Sequence, residues 1–231
     1  MVLYDYQPGR GGQYPDKFLQ NWHGHLHADG YSSYRTLKDV TLIGCWAHLR
    51  RKFDEATKIS KGESSAAKIG LDYCNRLFAL ERDFEGLSPE QRHDARQKQS
   101  VPLAEEFFAW AKAQNFPPKL AITRALSYAE NHEKCFTTVF CDGRFELSNN
   151  RAERSIKPFV IGRKNWMFSN SVRGARASAV AFSVIETAKE NGLKPFEYLK
   201  FLLGAVPNTK NNQLNEFLPW GDAVPEGCRI C

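Results

Sequence analysis

Residue patterning changes abruptly at Cys45, and that change restricts the possible folds more than any other feature of this 231-residue chain. Upstream, strand and helix signals alternate. Val2-Leu-Tyr-Asp-Tyr-Gln7 has strand character and runs into a turn at Pro8-Gly-Arg-Gly-Gly12. Residues 15–22 put Phe18, Leu19 and Trp22 on one helical face, and residues 23–29 read as a strand stopped by Gly30. A helix over 31–37 and the apolar strand Val40-Thr-Leu-Ile-Gly44 complete the order strand, helix, strand, helix, strand. That order belongs to α/β packing with parallel pairings.

Downstream, residues 46–58, 65–84, 88–115 (interrupted by Pro102) and 119–132 carry helical periodicity and few β-branched residues. Turns are expected near Gly62, Gly86-Leu-Ser-Pro89 and Phe116-Pro-Pro118. Thr137-Thr-Val-Phe-Cys141, Asp142-Gly143 and Arg144-Phe-Glu-Leu147 then predict a hairpin closed by a type I′ turn. Helices are expected over 150–161, 174–191 and 195–203, followed by a tail rich in Asn and Pro. Pro158 should kink or end the first of these.

The formal charge of +6 is concentrated. Between Arg144 and Arg176 eight Arg or Lys face two Glu, so the rest of the chain is neutral. A cationic segment of this kind reads as an anion-binding surface, most commonly for nucleic acid. No apolar run approaches the ~20 residues of a membrane span, and Met1 to Tyr6 lacks the pattern of a signal peptide. Six scattered Cys form no disulfide framework, which predicts reduced thiols in a cytoplasm. Cys228-Arg-Ile-Cys231 lacks a second pair, so fraying is its plain reading and metal or redox work the alternative.

Several side chains admit two readings each. Asp29 ends a predicted strand, where carboxylates of α/β sheets face ligands, yet Asp before Gly also opens turns. Glu153 lies in Ser148-Asn-Asn-Arg-Ala-Glu-Arg-Ser-Ile-Lys-Pro158, just upstream of Gly162-Arg-Lys-Asn-Trp166. With Asn150 it fits a capping box. It is also a carboxylate surrounded by Arg151, Arg154, Lys157, Arg163 and Lys164, suited to hold a metal while the cations hold phosphates. Arg151, Arg154 and Lys157 recur every three residues as one basic stripe. Arg50, Arg51 and Lys52 form a solvated charge run or a phosphate contact, while Trp46, Leu49 and Phe53 pack inward. His23, His25 and His27 share a strand face and with Asp29 superficially resemble a metallo-hydrolase zinc motif. That motif normally continues with His where this chain has Gly30, so residues near DNA are the simpler reading.

Four segments match a known family in order. They are Asp29-Gly-Tyr-Ser-Ser-Tyr34, Gly44-Cys-Trp-Ala-His-Leu-Arg-Arg-Lys-Phe53, Asp142-Gly-Arg-Phe-Glu-Leu-Ser-Asn-Asn-Arg-Ala-Glu-Arg154 and Gly162-Arg-Lys-Asn-Trp-Met-Phe168. Over residues 2–205 the chain closely resembles the large transposase of the insertion-sequence-sixty-six family, which is of the DDE type on a ribonuclease-H-like core. The resemblance implies that Asp29 is the second catalytic acid and Glu153 the third, both ligands of a two-metal Mg²⁺ (or Mn²⁺) site. It also implies DNA as partner, both element ends and target, with a homo-oligomer or accessory element-encoded proteins. The expected setting is the bacterial cytoplasm, at the nucleoid.

In the family the first catalytic Asp precedes the strand that Val2 to Tyr6 resembles, so this chain is expected to be a truncated C-terminal part. The expected architecture is α/β, an incomplete ribonuclease-H-like core without its first strands. Residues 1–45 would be the N-terminal part of that core and 46–135 an all-helical insertion. Residues 136–173 would supply the hairpin and the Glu-bearing helix, 174–205 the C-terminal helices, and 206–231 a tail. Without the first Asp the isolated chain is expected to be a poor catalyst. A non-catalytic DNA-binding or regulatory remnant of a transposase is the alternative.

Overall fold

Among the described residues the sheet is one pair of parallel strands. In the computed structural model, which describes residues 1–59, 65–166 and 169–230, β1 (Gly24–Ala28) pairs in parallel with β2 (Val40–Gly44), His27 opposite Ile43. The turn expected near Gly62 and the Met167-Phe168 end of the last motif lie outside the described residues. The rest of the described chain is mostly helical, and it divides into two compact units.

The unit formed by residues 10–151 begins with the short helix α1 (Gln13–Phe18), and the segment between the strands makes a single 3-10 turn at Ser32–Tyr34. After β2 come α2 (Trp46–Ile59), α3 (Ser65–Asp83), α4 (Pro89–Ala95), α5 (Val101–Lys112), α6 (Ala121–Asn131) and α7 (Glu133–Thr138). Trp46, Leu49, Phe53 and Ala56 form the buried stripe of α2, as their spacing predicts. Trp46 is fully buried among Phe107, Phe108, Phe136 and Phe140, and its indole N–H donates to the Phe136 carbonyl at 3.1 Å. Such a ring stabilises a core only if its one polar atom is paired. Gly70 lets α3 close on α2, since a Cβ there would sit 2.4 Å from the Phe53 ring.

The helix that opens at Pro89 starts with a full capping box, Ser88 Oγ accepting from the Gln91 N–H while the Gln91 side chain accepts from the Ser88 N–H. The interruption expected at Pro102 takes the form of a π turn at Arg96–Ser100. Pro102 has no N–H for the carbonyl one turn back, and a widened turn there absorbs the loss. That turn directs Arg96 inward, where all five guanidinium N–H groups are used. Nε and Nη2 donate to the two oxygens of Glu81, each at 2.7 Å. Nη1 donates to the carbonyls of Val139 and Asp142, and Nη2 also to that of Phe145.

The expected hairpin over 137–147 does not form. Phe136, Val139 and Phe140 are buried at helical spacing, so the chain continues as α7 and a 3-10 turn at Val139–Cys141. Core packing overrides the β-branched character of Thr137-Thr-Val139. Asp142-Gly143 still makes a turn, with the Asp142 carboxylate accepting from the Arg144 N–H at 2.8 Å. Gly143 does not take the positive φ of a type I′ turn; it is glycine because a Cβ would lie 1.8 Å from the Pro89 carbonyl oxygen.

The second unit comprises residues 1–9 and 152–231, with α8 (Asn150–Trp166) entering it, then α9 (Val172–Glu190) and α10 (Pro195–Ala205). Residues 2–6 are extended and alternate in exposure but belong to no strand among the described residues. Their backbone is satisfied by a helix instead. The N–H and C=O of Val2 bond the Thr187 hydroxyl at 2.9 and 2.8 Å, and the Tyr4 N–H donates to Ser183 Oγ at 2.8 Å. Ser183 and Thr187 are one turn apart on α9, which matches the two-residue repeat of an extended segment. The Tyr4 ring packs on Phe159 and Phe182. Those contacts hold the turn after Pro158, and α8 continues through the proline to Trp166 rather than ending there.

Residues beyond α10 fold back as 3-10 turns. Lys194 N–H donates to the Cys228 carbonyl and Ile230 N–H to that of Gly192, both at 2.7 Å, over a core of Ala188, Leu193, Tyr198, Val224 and Cys228. Cys228 is buried, and Cys231 lies outside the described residues.

Candidate functional site

Asp29 directly follows β1, so it sits at the carboxyl end of the parallel pair, where open α/β sheets bind ligands. The turn reading also holds: Oδ1 accepts from the Tyr31 N–H at 3.1 Å, and Gly30 takes φ +84°. These roles are compatible, because one fixed oxygen sets the direction of a carboxylate that is otherwise exposed. The turn is clamped from behind by α6. Tyr128 Oη donates to the Asp29 carbonyl at 2.8 Å, and a Cβ on Gly30 would lie 2.9 Å from that hydroxyl and 3.0 Å from His132 Nε2.

His132 caps the C-terminus of α6 and is buried; its Nδ1 donates to the Tyr128 carbonyl at 2.8 Å. Its Nε2 is therefore an acceptor, and the Arg35 guanidinium donates to it. The cleft enclosed by Gly30, Tyr34, Arg35, Tyr128 and His132 measures about 10 Å³, room for one water. Anything larger must approach Asp29 from its exposed side.

Lys52 completes the group. Its ammonium lies 4.6 Å from the centre of the Tyr128 ring, a cation–π contact that places it near the Asp29 turn. Arg50 is directed elsewhere, with Nε donating to Asn75 at 2.7 Å, and Arg51 is exposed. The charge run 50–52 thus divides, and Lys52 is the member that meets the Tyr128 ring. Burial pushes the Tyr128 hydroxyl up to about 12, with Asp29 among the secondary causes and Arg35 opposing. Tyr34 is raised by burial and then by Asp29. Both phenols therefore remain protonated donors at neutral pH.

Glu153 is half-buried in the first turn of α8, in the second unit. Arg154, Lys157 and Lys164 are exposed on that helix, and Arg151 is exposed where it begins. The side chain of Arg163 lies outside the described residues. His25 packs on the Phe145 ring at 4.7 Å, while His27 is half-buried and held below its usual range, chiefly by that burial. Among the described residues no three His, Cys, Asp or Glu gather as a metal-binding group, which leaves the zinc reading without support.

The sequence gives Arg35 and Tyr128 no distinguishing motif, and offers His132 only as a remaining histidine for the zinc reading. Their only local signal is the four-residue spacing of Tyr128 and His132, which puts both on one helix face.

Residues 1–177 match the Transposase IS66 family, and residues 183–220 match the IS66 C-terminal element. The chain belongs to the IS66 transposase family. Among its relatives are three uncharacterized proteins of Sinorhizobium fredii. Protein y4qI is 33% identical over 233 residues, y4jD 32% over 232 and y4hP 31% over 238. Each alignment covers 95% of this chain but only 43–45% of the relative, so the chain spans less than half the length of these relatives. No solved structure matches it. Among the described residues, no helix is long and apolar enough to cross a membrane.

Proposed function

We propose that this chain is the catalytic part of a DNA transposase of the DDE type, in which Asp29 and Glu153 are metal-binding acids on a ribonuclease-H-like core. The observation that carries the reading is Asp29 itself. It is an exposed carboxylate at the carboxyl end of a parallel strand, with one oxygen fixed by a backbone N–H and Lys52 and Arg35 held nearby. The donor chemistry fits a hard divalent cation, since both assigned acids offer carboxylate oxygens. A pair of Mg²⁺ or Mn²⁺ ions bound there would stabilise the attacking and leaving oxygens of an in-line displacement at phosphorus.

The remaining work falls to residues of this chain. Tyr31 N–H and Tyr128 Oη fix the Asp29 turn, so that the carboxylate is directed before substrate arrives. Arg151, Arg154, Lys157 and Lys164, with Arg163 by sequence, are the cations proposed to contact the DNA backbone, and Arg50, Arg51 and Lys52 are assigned phosphate contacts of their own. The partners of the whole protein would be element ends and target DNA at the nucleoid, engaged by an oligomer or with accessory element-encoded proteins.

The test is divalent-metal-dependent cleavage of a duplex carrying the element's end, by a protein of the relatives' length that contains this region. Cleavage in Mg²⁺ that stops on chelation is expected. End binding without cleavage in either Mg²⁺ or Mn²⁺ would instead favour a non-catalytic DNA-binding or regulatory protein.

A further inference from the structure

We infer that Arg35 is a phosphate-binding residue of the Asp29 site, and that His132 is the positioning residue that holds it ready. The inference rests on the DNA-processing reading above but assigns residues which that reading leaves out. Arg35 is exposed and makes no ion pair with a carboxylate among the described residues. Its partner is a neutral acceptor, the Nε2 of His132, whose own orientation is fixed by the Nδ1 bond to the Tyr128 carbonyl. A buried imidazole placed to orient a surface guanidinium leaves the positive charge uncompensated and four of its five N–H groups available. That arrangement matches what a phosphodiester requires, a planar fork presented in a fixed direction.

The surroundings favour an anion. Lys52 is the second cation of the cluster, lying on the Tyr128 ring rather than on a carboxylate. Asp29 is the carboxylate shared by this neighbourhood, and its Oδ1 is engaged by a backbone N–H. Among the described residues that act on Tyr128 and Tyr34, Arg35 and Lys52 are cations and Asp29 is the acid, so the balance is positive even when Asp29 is ionised. A divalent cation on Asp29 would add to that excess, so a DNA phosphate is the complementary ligand.

The experiment measures binding of the 231-residue chain to a fluorescein-labelled duplex across a salt series. Arg35→Ala should lower the slope of log K against log salt by ~0.9, one phosphate contact, whereas Lys98→Ala, which removes an exposed charge elsewhere, should not. His132→Ala should weaken binding in the wild-type background and add nothing in the Arg35→Ala background; His132→Gln, whose amide oxygen can accept from Arg35, should restore binding. Fully additive losses would make His132 an ordinary fold residue and overturn its positioning role. An unchanged slope in Arg35→Ala, with wild type binding normally, would overturn the Arg35 assignment alone. A wild-type chain that bound no duplex would overturn the parent reading as well.

Discussion

Replacing Arg96 by Met should destabilise the 10–151 unit severely, although Arg96 bonds Glu81 and three backbone carbonyls rather than a proposed catalytic acid. Its side chain is fully buried, and Glu81, its ion-pair partner, is only 14% exposed. The substitution keeps a similar volume but removes five donors at once. It leaves a largely buried carboxylate without its cation, together with the carbonyls of Val139, Asp142 and Phe145. Breaking a buried pair by deleting one partner costs about 3–5 kcal/mol. Domain stabilities are roughly 5–15 kcal/mol, so the loss is a large fraction of the total. Urea unfolding followed by tryptophan fluorescence should show it directly, since Trp46 and Trp110 report this core. With a slope of about 2 kcal/mol per M, the midpoint should fall by ~2 M. Adding Glu81→Met should recover part of the loss, because no charge is then left alone, but not all of it, because the three carbonyls remain. A shift below ~0.5 M in Arg96→Met, or no recovery in the double variant, would refute the argument.

Gly143→Ala drives a Cβ toward the Pro89 carbonyl, whose oxygen lies 1.8 Å from its ideal position, and should cost ~1–3 kcal/mol, read as a lowered Tm. Tyr128 and Tyr198 are both pushed up to about 12 by burial. The folded state therefore holds these protons more tightly than the unfolded chain does, and stability present below pH ~10 should be lost as pH rises through 10–12. A urea midpoint that stays flat over that range, or a fall of equal size in a Tyr128→Phe, Tyr198→Phe variant, would contradict this. Replacing Arg151, Arg154 and Lys157 together by Ala should reduce the salt slope of DNA binding by up to ~2.7, at ~0.9 per phosphate, without altering circular dichroism. An unchanged slope would mark the stripe as a solvated face.

Periodicity revealed most of the helices because their packing is local. The buried stripe Trp46, Leu49, Phe53, Ala56 is readable from its spacing alone, and β1 and β2 end at the glycines and aspartate that sequence suggests. Thr137-Thr-Val-Phe-Cys141 predicts a hairpin over 137–147 from its strand composition, whereas its environment is a helical core that buries Phe136, Val139 and Phe140. Residues 2–6 carry a genuine two-residue repeat, but the groups that satisfy their backbone are hydroxyls on α9, some 180 residues away. The site divides in the same way. Asp29 stands out locally as an acid before a turn glycine. Arg35 and His132 are separated by 97 positions, and neither alone looks unusual. Arg96 lies in a polar stretch whose composition gives no sign of burial, and its burial depends on the π turn before Pro102.

The central claim is that Asp29 and Glu153 are both acids of one metal-dependent reaction. It is tested most directly by measuring strand cleavage and DNA binding side by side for Asp29→Asn and Glu153→Gln in the protein of full relative length. Each substitution removes one metal-binding charge while keeping shape. The account predicts that both variants lose cleavage in Mg²⁺ and bind the element's end as tightly as wild type or slightly more so, since a negative charge beside phosphate is gone. Cleavage at the wild-type rate by either variant would contradict it.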